Sequence, residues 1–401
     1  MVDFTLSEEQ RELQKTGRRF AAQEIAPLAA RVGSEGLDAC EDDIRSMFAR
    51  GVELGFTSLL IPESVGGGGM RCIDNAILLE ELAVGDIAIA ADLFSLNACM
   101  PLVMQRGGTP QQQAYWMEKL TSGEPIIMSG AQSEPNVSGG DLFSPDPSHG
   151  MRTSAKLDGD EWVINGNKSA FVTNAGAADY YMIMARTEPN KVQMESVSMF
   201  LIDANTPGFS VSPRTELIGW QTTHHAELLL DNVRVPKERL LGREGGALPT
   251  FAQIPEMGIC LAACFVGLAR RAYEYALAYA QERVSWGRPI IEHQSVALKL
   301  AEMSIDVETA RLLVWDAAAA IDTDPMAAGT IKGPGAKSHA VDVAIRTSQR
   351  AMEILGAYGV AKEYPTGGFL NDAMVGYACD FTREVLRLGM VPFLVQRSNE
   401  G

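Results

Sequence analysis

Positive charge is scarce in this sequence. Its 401 residues carry 34 Lys and Arg against 51 Asp and Glu, a net charge of −17. So acidic a chain is a poor partner for nucleic acid or an anionic membrane surface, although a local basic pocket for phosphates stays open to it. Histidine is sparse too. The five present form no HExxH or other metal spacing, and His224 and His225 are neighbours whose side chains would diverge on a strand. Six cysteines include no CxxC pair; Cys260 and Cys264, one helical turn apart in an apolar segment, read as core residues. A membrane span is also missing. The longest apolar run, "IAIAADLFSLNACMPLVM" (87–104), contains Asp92, Asn97 and Pro101 and reads as a buried helix. The opening "MVDFTLSEEQRELQ" has acids where a signal peptide carries basic and then apolar residues. The expectation is a cytoplasmic protein with no metal, no nucleic-acid partner and no membrane insertion.

The composition, 46% hydrophobic and 21% charged, is that of a globular protein, and the length implies two or three domains. Residues 1–125 read as all-α, with Ser7 as the first N-cap and a break at Pro62 and Gly66–Gly69. From 126 to 240 the texture becomes short, β-rich runs: "WVINGNKSAFVT", "YYMIMART", "VSMFLID", "FSVSP" and "AELLLDNVRV". "DGDEW" (158–162) signals a hairpin. Long helical patterns return over 241–401. The β connections are too short for βαβ units, so a Rossmann fold is excluded. "GTIKGPGAKS" (329–338) faintly resembles a phosphate loop, but Ala336 separates Gly335 from Lys337 and the segment follows a helix; it reads as an interhelical loop. The fold class is α+β, with an N-terminal helical domain, a middle β-barrel or sandwich domain and a C-terminal four-helix bundle.

Within this order, several stretches resemble motifs of the acyl-CoA dehydrogenase family. "SEPNVSGGD" (133–141) is similar to its flavin loop and "NGNKSAFVTNA" (165–175) to its GxKxWITNA strand. "DNVRVPKERLLGREGG" (231–246) is similar to the end of its β-domain, and "ERVSWGRPIIEHQ" (282–294) to a segment of its helical domain. "ILGAYGVAKEYP" (354–365) and "NDAMVGYACDFT" (371–382) stand where the family has GGYGYxxEYP and RDxxxxxIYEGT. The resemblance runs from residue 3 to about 390 and implies FAD as cofactor, an acyl-CoA substrate and an electron-transferring flavoprotein as electron acceptor. Position by position it implies that Ser133 and Thr173 meet the flavin ring through hydroxyls and that Phe171 stacks where an indole is usual. Arg283, Trp286 and Gln294 match residues that reach a neighbouring subunit's FAD, which implies a homo-oligomer, commonly a tetramer. Gly356, Ala357 and Thr382 match the turn and hydroxyl that hold the diphosphate. Glu353 stands where Gln is usual near the adenosine.

The departures concern the acid. The family's catalytic Glu aligns with Asp380, and the Gly after it with Phe381. The family reaction is α,β-dehydrogenation, in which a carboxylate takes the α-proton while a hydride passes to flavin N5. Asp380 has the right chemistry but reaches roughly 1.5 Å less far. Asp92 is a second catalytic candidate, an acid in an apolar run that is expensive unless paired or functional; the bland expectation is pairing with a backbone amide or Arg. Glu256 is a third candidate. A family arginine near the acyl-CoA aligns with Gly258, which puts the CoA contacts there in question. Asp380 and Asp92 together give a weaker resemblance to members acting on alicyclic thioesters, and so to a cyclic or bulky acyl group. The alternative is a flavin-bound lyase, a desulfinase-like enzyme or a non-catalytic acyl-CoA-binding homologue.

Overall fold

The computed structural model describes residues 5–137 and 139–400. The chain opens with α1 (Glu8–Phe20), which runs through a π-turn at Ala21–Ile25 into α2 (Ala26–Glu35) and is followed by α3 (Glu41–Glu53). Ser7 and Gln10 form a reciprocal capping box, with Gln10 N donating to Ser7 Oγ at 3.1 Å and Ser7 N to Gln10 Oε1 at 2.9 Å. After an irregular stretch around Pro62 come α4 (Cys72–Gly85), a π-turn at Ile89–Ser95, α5 (Leu96–Gly107) and α6 (Pro110–Leu120). The long apolar run is thus buried helix, as expected, with Pro101 inside α5. Its Phe94 packs among Phe20, Phe48 and Phe56 at centroid distances of 5.6–5.9 Å. Gly51 makes room for it: a Cβ there would lie 2.3 Å from the Phe94 ring. Among the described residues no helix is long and apolar enough to cross a membrane.

The strands are β1 (Met128–Ala131), β2 (Ser154–Asp158), β3 (Glu161–Thr173), β4 (Tyr180–Arg186), β5 (Val197–Asp203), β6 (Phe209–Val211) and β7 (His225–Pro236). They form one sheet in the order β1-β4-β2-β3-β7-β6, with β5 also on β4. The "DGDEW" turn closes the β2–β3 hairpin, placing Asp158 opposite Glu161 around Gly159 at φ +65°. β1 has no alternating pattern because it is almost wholly buried beside β4, to which it runs parallel. The β3–β7 ladder slips register between Lys168 and Val172. That bulge re-aims the side chains around Phe171. A single helical turn, α7 (Gln193–Ser196), precedes β5.

The remaining helices are α8 (Ala247–Phe251), α9 (Glu256–Glu282), α10 (Gln294–Thr323), α11 (Pro325–Ala327), α12 (Gly333–Leu355), α13 (Thr366–Val375) and α14 (Arg383–Glu400). A two-residue hairpin, β8 (Val284–Ser285) and β9 (Arg288–Pro289), sits between α9 and α10. Here one expectation is corrected: the "GTIKGPGAKS" segment is helical, a π-turn at Ala328–Lys332 continuing into α12. Pro334 is the second residue of α12 and follows directly on that π-turn, one of the places where a helix accommodates a proline. Lys337 is therefore carried on a helix and pointed into the protein. A buried charge cluster fastens α4 to the bundle: Arg270 meets Glu80 at 2.7 Å and Glu81 at 2.5 Å, and Arg311 meets Glu80 at 2.8 Å.

Candidate active site

Asp92 sits on the π-turn before α5 and is only 3% exposed. Its Oδ2 accepts a 2.6 Å hydrogen bond from Thr223 Oγ1, and His225 Nε2 lies 3.5 Å away. Burial pushes the carboxyl up to about 8, against the pull of the Thr223 hydrogen bond. Burial likewise pushes His225 down to about 4. Near neutrality both groups are uncharged, so their contact is not an ion pair. The expected partner, an amide or Arg, is corrected to a hydroxyl and an imidazole. Thr223 lies just before β7 and His225 is its first residue, and no short-range pattern links either to residue 92. The Asp92 carbonyl in turn accepts from Asn174 Nδ2 at 2.8 Å, which joins this acid to the end of β3.

The loop from α13 to α14 carries Asp380. Asp380 (φ +46°) and Phe381 (φ +69°) are consecutive non-glycine residues in the left-handed region. The Phe381 ring lies against Gly139, where a Cβ would come within 2.8 Å, and 6.0 Å from the Phe143 ring. The Asp380 side chain stays 39% exposed, its Oδ2 facing Gly258, where a Cβ would lie 3.8 Å away. Sequence reading missed Lys337, which reaches this loop from α12. Its Nζ donates to the carbonyls of Cys379 (2.6 Å), Asp380 and Phe381 (3.4 Å) and lies 3.4 Å from Asp380 Oδ2. The signal is a lysine in an apolar helical pattern, masked by the glycines and proline just before it. Glu256 is differently placed: Arg106 clamps both its oxygens, at 2.9 and 2.5 Å.

The sheet carries a second group. Ser133 is exposed, and its carbonyl accepts from Ser169 N at 2.9 Å. Next to it Glu134 is buried and binds Lys168 Nζ at 3.0 Å, while accepting from Arg152 N at 2.6 Å and Thr153 N at 3.0 Å. Burial pushes Lys168 down to about 8, opposed by the Glu134 charge, and the pair pins the loop onto β3. Phe171 stands 65% exposed beside the bulge. The Thr173 carbonyl is held by Ser129 Oγ at 2.6 Å. Ser169 Oγ and Asn174 Oδ1 are buried without a protein hydrogen-bond partner. The exposed aromatic face of Phe171 suits a flat heteroaromatic ring laid against it.

The bundle carries a third group. Arg283 caps α9, and its guanidinium lies 5.6 Å from the Tyr358 ring. Trp286 is 95% exposed at the tip of the β8–β9 hairpin, and Gln294, first residue of α10, is exposed. Glu353 is tied to Lys299 at 2.5 Å. Gly356 (φ +62°) ends α12 with open space around its Cα, and Ala357 is exposed beside it. Such an open turn admits a phosphate close to the backbone. Thr382 instead lies on the Asp380 loop, where its Oγ1 accepts from Val385 N at 3.2 Å and caps α14. Gly258 and Arg283 lie towards opposite ends of α9, about 37 Å apart at roughly 1.5 Å per residue. The structure thus keeps Arg283 well away from the Asp380 loop of its own chain.

This chain matches the acyl-CoA dehydrogenase N-terminal domain over residues 7–124, the middle domain over 130–233 and the C-terminal domain over 251–391. It is 32% identical to an acyl-CoA dehydrogenase of Bacillus subtilis (strain 168), covering 97% of this chain and 99% of that one. It is 34% identical to a glutaryl-CoA dehydrogenase of Desulfococcus multivorans, covering 96% of each. Among solved structures, butyryl-CoA dehydrogenase from Megasphaera elsdenii superposes with a TM-score of 0.87 at 29% identity, over 98% of this chain and 100% of the other. The chain belongs to the acyl-CoA dehydrogenase family, oxidoreductases that use FAD.

Proposed function

We propose that this protein removes the α and β hydrogens of an acyl-CoA thioester, with Asp380 as the base. Bound FAD supplies the hydride acceptor. One observation carries the choice of base: of the three candidate acids, Asp380 alone combines an accessible carboxylate with a place on the loop facing Gly258. Asp92 is enclosed and protonated near neutrality, and Glu256 has both oxygens engaged by Arg106. A base must come within hydrogen-bond reach of the proton it takes. Ser133, Phe171 and Thr173 would receive the flavin ring, Thr382 the diphosphate. Arg283, Trp286, Gln294, Glu353, Gly356 and Ala357 would serve the cofactor of a neighbouring copy, since α9 holds Arg283 far from its own Asp380. That reading makes the active unit a homo-oligomer, a tetramer by family resemblance, with an electron-transferring flavoprotein as electron acceptor and the cytoplasm as its place.

The acyl group we propose is compact, whether a short chain or a ring. Phe381 puts an aromatic ring beside the base, packed on Gly139 and near Phe143, where a long chain would need room. Asp92, as a neutral acid beneath the Asn174 turn, would donate or hold a proton within the site wall rather than accept one from substrate. The test is anaerobic mixing of the purified yellow protein with butyryl-, glutaryl- and cyclohexanecarbonyl-CoA while flavin absorbance is followed. Bleaching by at least one supports the reading. If no thioester bleaches the flavin, dehydrogenation is the wrong chemistry, and a flavin-bound lyase or an acyl-CoA-binding homologue takes its place.

A further inference from the structure

We propose that Lys337 is a positioning residue: its ammonium holds the 379–381 backbone in the left-handed turn that presents Asp380 to substrate. The proposal rests on Asp380 being the base. Lys337 is 1% exposed, and a buried ammonium must have its donors taken up. Those donors go to one short loop. The carbonyls of three successive residues, Cys379, Asp380 and Phe381, converge on Nζ, with Asp380 Oδ2 at 3.4 Å. That convergence is possible because φ is +46° at Asp380 and +69° at Phe381, which reverses the chain around the charge. Left-handed φ is uncommon for non-glycine residues and an outlier for a bulky one, so two in succession need an external hold. Phe381 packing on Gly139 supplies one hold and the Lys337 ammonium the other.

The C-terminal flank is secured independently. Arg383 and Arg387 both reach Asp342 on α12, and Thr382 caps α14. The start of α14 therefore stays docked without Lys337, and the 379–381 turn before it is the part whose shape depends on the ammonium. The three carbonyls cannot be served equally by a longer, planar guanidinium or by an uncharged side chain. The carboxylate of Asp380 also gains a fixed positive charge beside Oδ2, the same oxygen that faces Gly258, which orients the group.

The experiment uses holoenzyme and the fastest of the three thioesters named above, with Lys337→Met, Phe381→Gly, the double variant and Asp380→Asn compared. Lys337→Met is expected to slow flavin bleaching by about 100-fold while FAD content and thioester affinity stay within about threefold. The amides of 379–382 should exchange with solvent about tenfold faster. Glycine adopts φ near +69° unaided, so in the Phe381→Gly background the same lysine change should cost less than about tenfold. A loss below about threefold in Lys337→Met, with Asp380→Asn inactive, overturns the proposal. So does an equal loss in both backgrounds with unchanged amide exchange. A Lys337→Met chain that loses FAD and helicity together, unrescued by Phe381→Gly, makes Lys337 a folding residue and also overturns it. If Asp380→Asn keeps the parental rate, the base reading fails instead, and the lysine's grip on the loop is then judged by amide exchange alone.

Discussion

Asp92 and Asp380 are the same side chain in opposite circumstances. Asp92 lies in a helical turn inside an apolar run, 3% exposed, with its carboxyl pushed up to about 8 and bonded to Thr223. Asp380 lies on a left-handed loop with 39% of its side chain exposed and a lysine ammonium nearby. Desolvation favours the neutral form of the first, while the second keeps an open face to solvent beside the Lys337 ammonium. Glu256 adds a third circumstance, a buried charge fully used by Arg106. What an acid can do is set by what already occupies its oxygens.

The most severe test of this contrast is Asp380→Asn. Amide and carboxylate share a shape, so bleaching should fall by about 10²–10⁴-fold with FAD and thioester binding nearly intact. Stopped-flow absorbance reads the first and equilibrium titration the second; a normal rate would end the case for Asp380. Next is Arg106→Ala, which strands the Glu256 charge in the interior and should cost about 3–5 kcal/mol of stability, read by urea unfolding. Turnover by the folded fraction should persist; its loss, with stability kept, would return Glu256 to candidacy.

Arg283→Ala should weaken FAD retention by about 1.5–3 kcal/mol with the fold intact, since a guanidinium on a pyrophosphate makes charge-assisted bonds. Ultrafiltration with flavin fluorescence measures it, and unchanged affinity would mean that Arg283 is surface decoration. The smallest effect is expected from Asp92→Asn, and it appears only in pH dependence. The folded carboxyl titrates at about 8, above its usual 3.8, so its contribution is full below pH 4 and is lost as pH rises towards 8. Asparagine cannot ionise, so the decline in stability between pH 6 and 8 should shrink by about 1–2 kcal/mol. Asp372, pushed up to about 7, keeps part of that decline. The acid limb below pH 6.5, where His225 resists charging until about pH 4, should remain. Thermal melts across the range decide; an unaltered alkaline limb would mean that Asp92 is ionised in the fold.

Much of the molecule was legible before its structure. The helix–sheet–helix order, β3 to β7 and the buried 87–104 run follow from periodicity and turn residues, which are local properties. β1 escaped because a strand buried on both faces does not alternate. The 329–338 segment misled because glycine and proline mark breaks in isolation, yet here Pro334 follows a π-turn within continuous helix. Asp380 was found through motif order, whereas the partners that separate it from Asp92 and Glu256 were not. Thr223, Arg106 and Lys337 approach from more than 40 positions away, and no short-range pattern encodes such meetings.

The hairpin at the end of α9 also gives the protein an optical handle. Of its five tryptophans, Trp116, Trp162 and Trp220 are buried, while Trp286 stands 95% in water. A wet indole emits at the red edge of tryptophan fluorescence, and flavins quench indoles that they approach. If a second copy bearing FAD settles against that hairpin, emission should shift to the blue and dim in one step. The colour of the light would then report assembly, and its brightness cofactor loading, without any label on the chain.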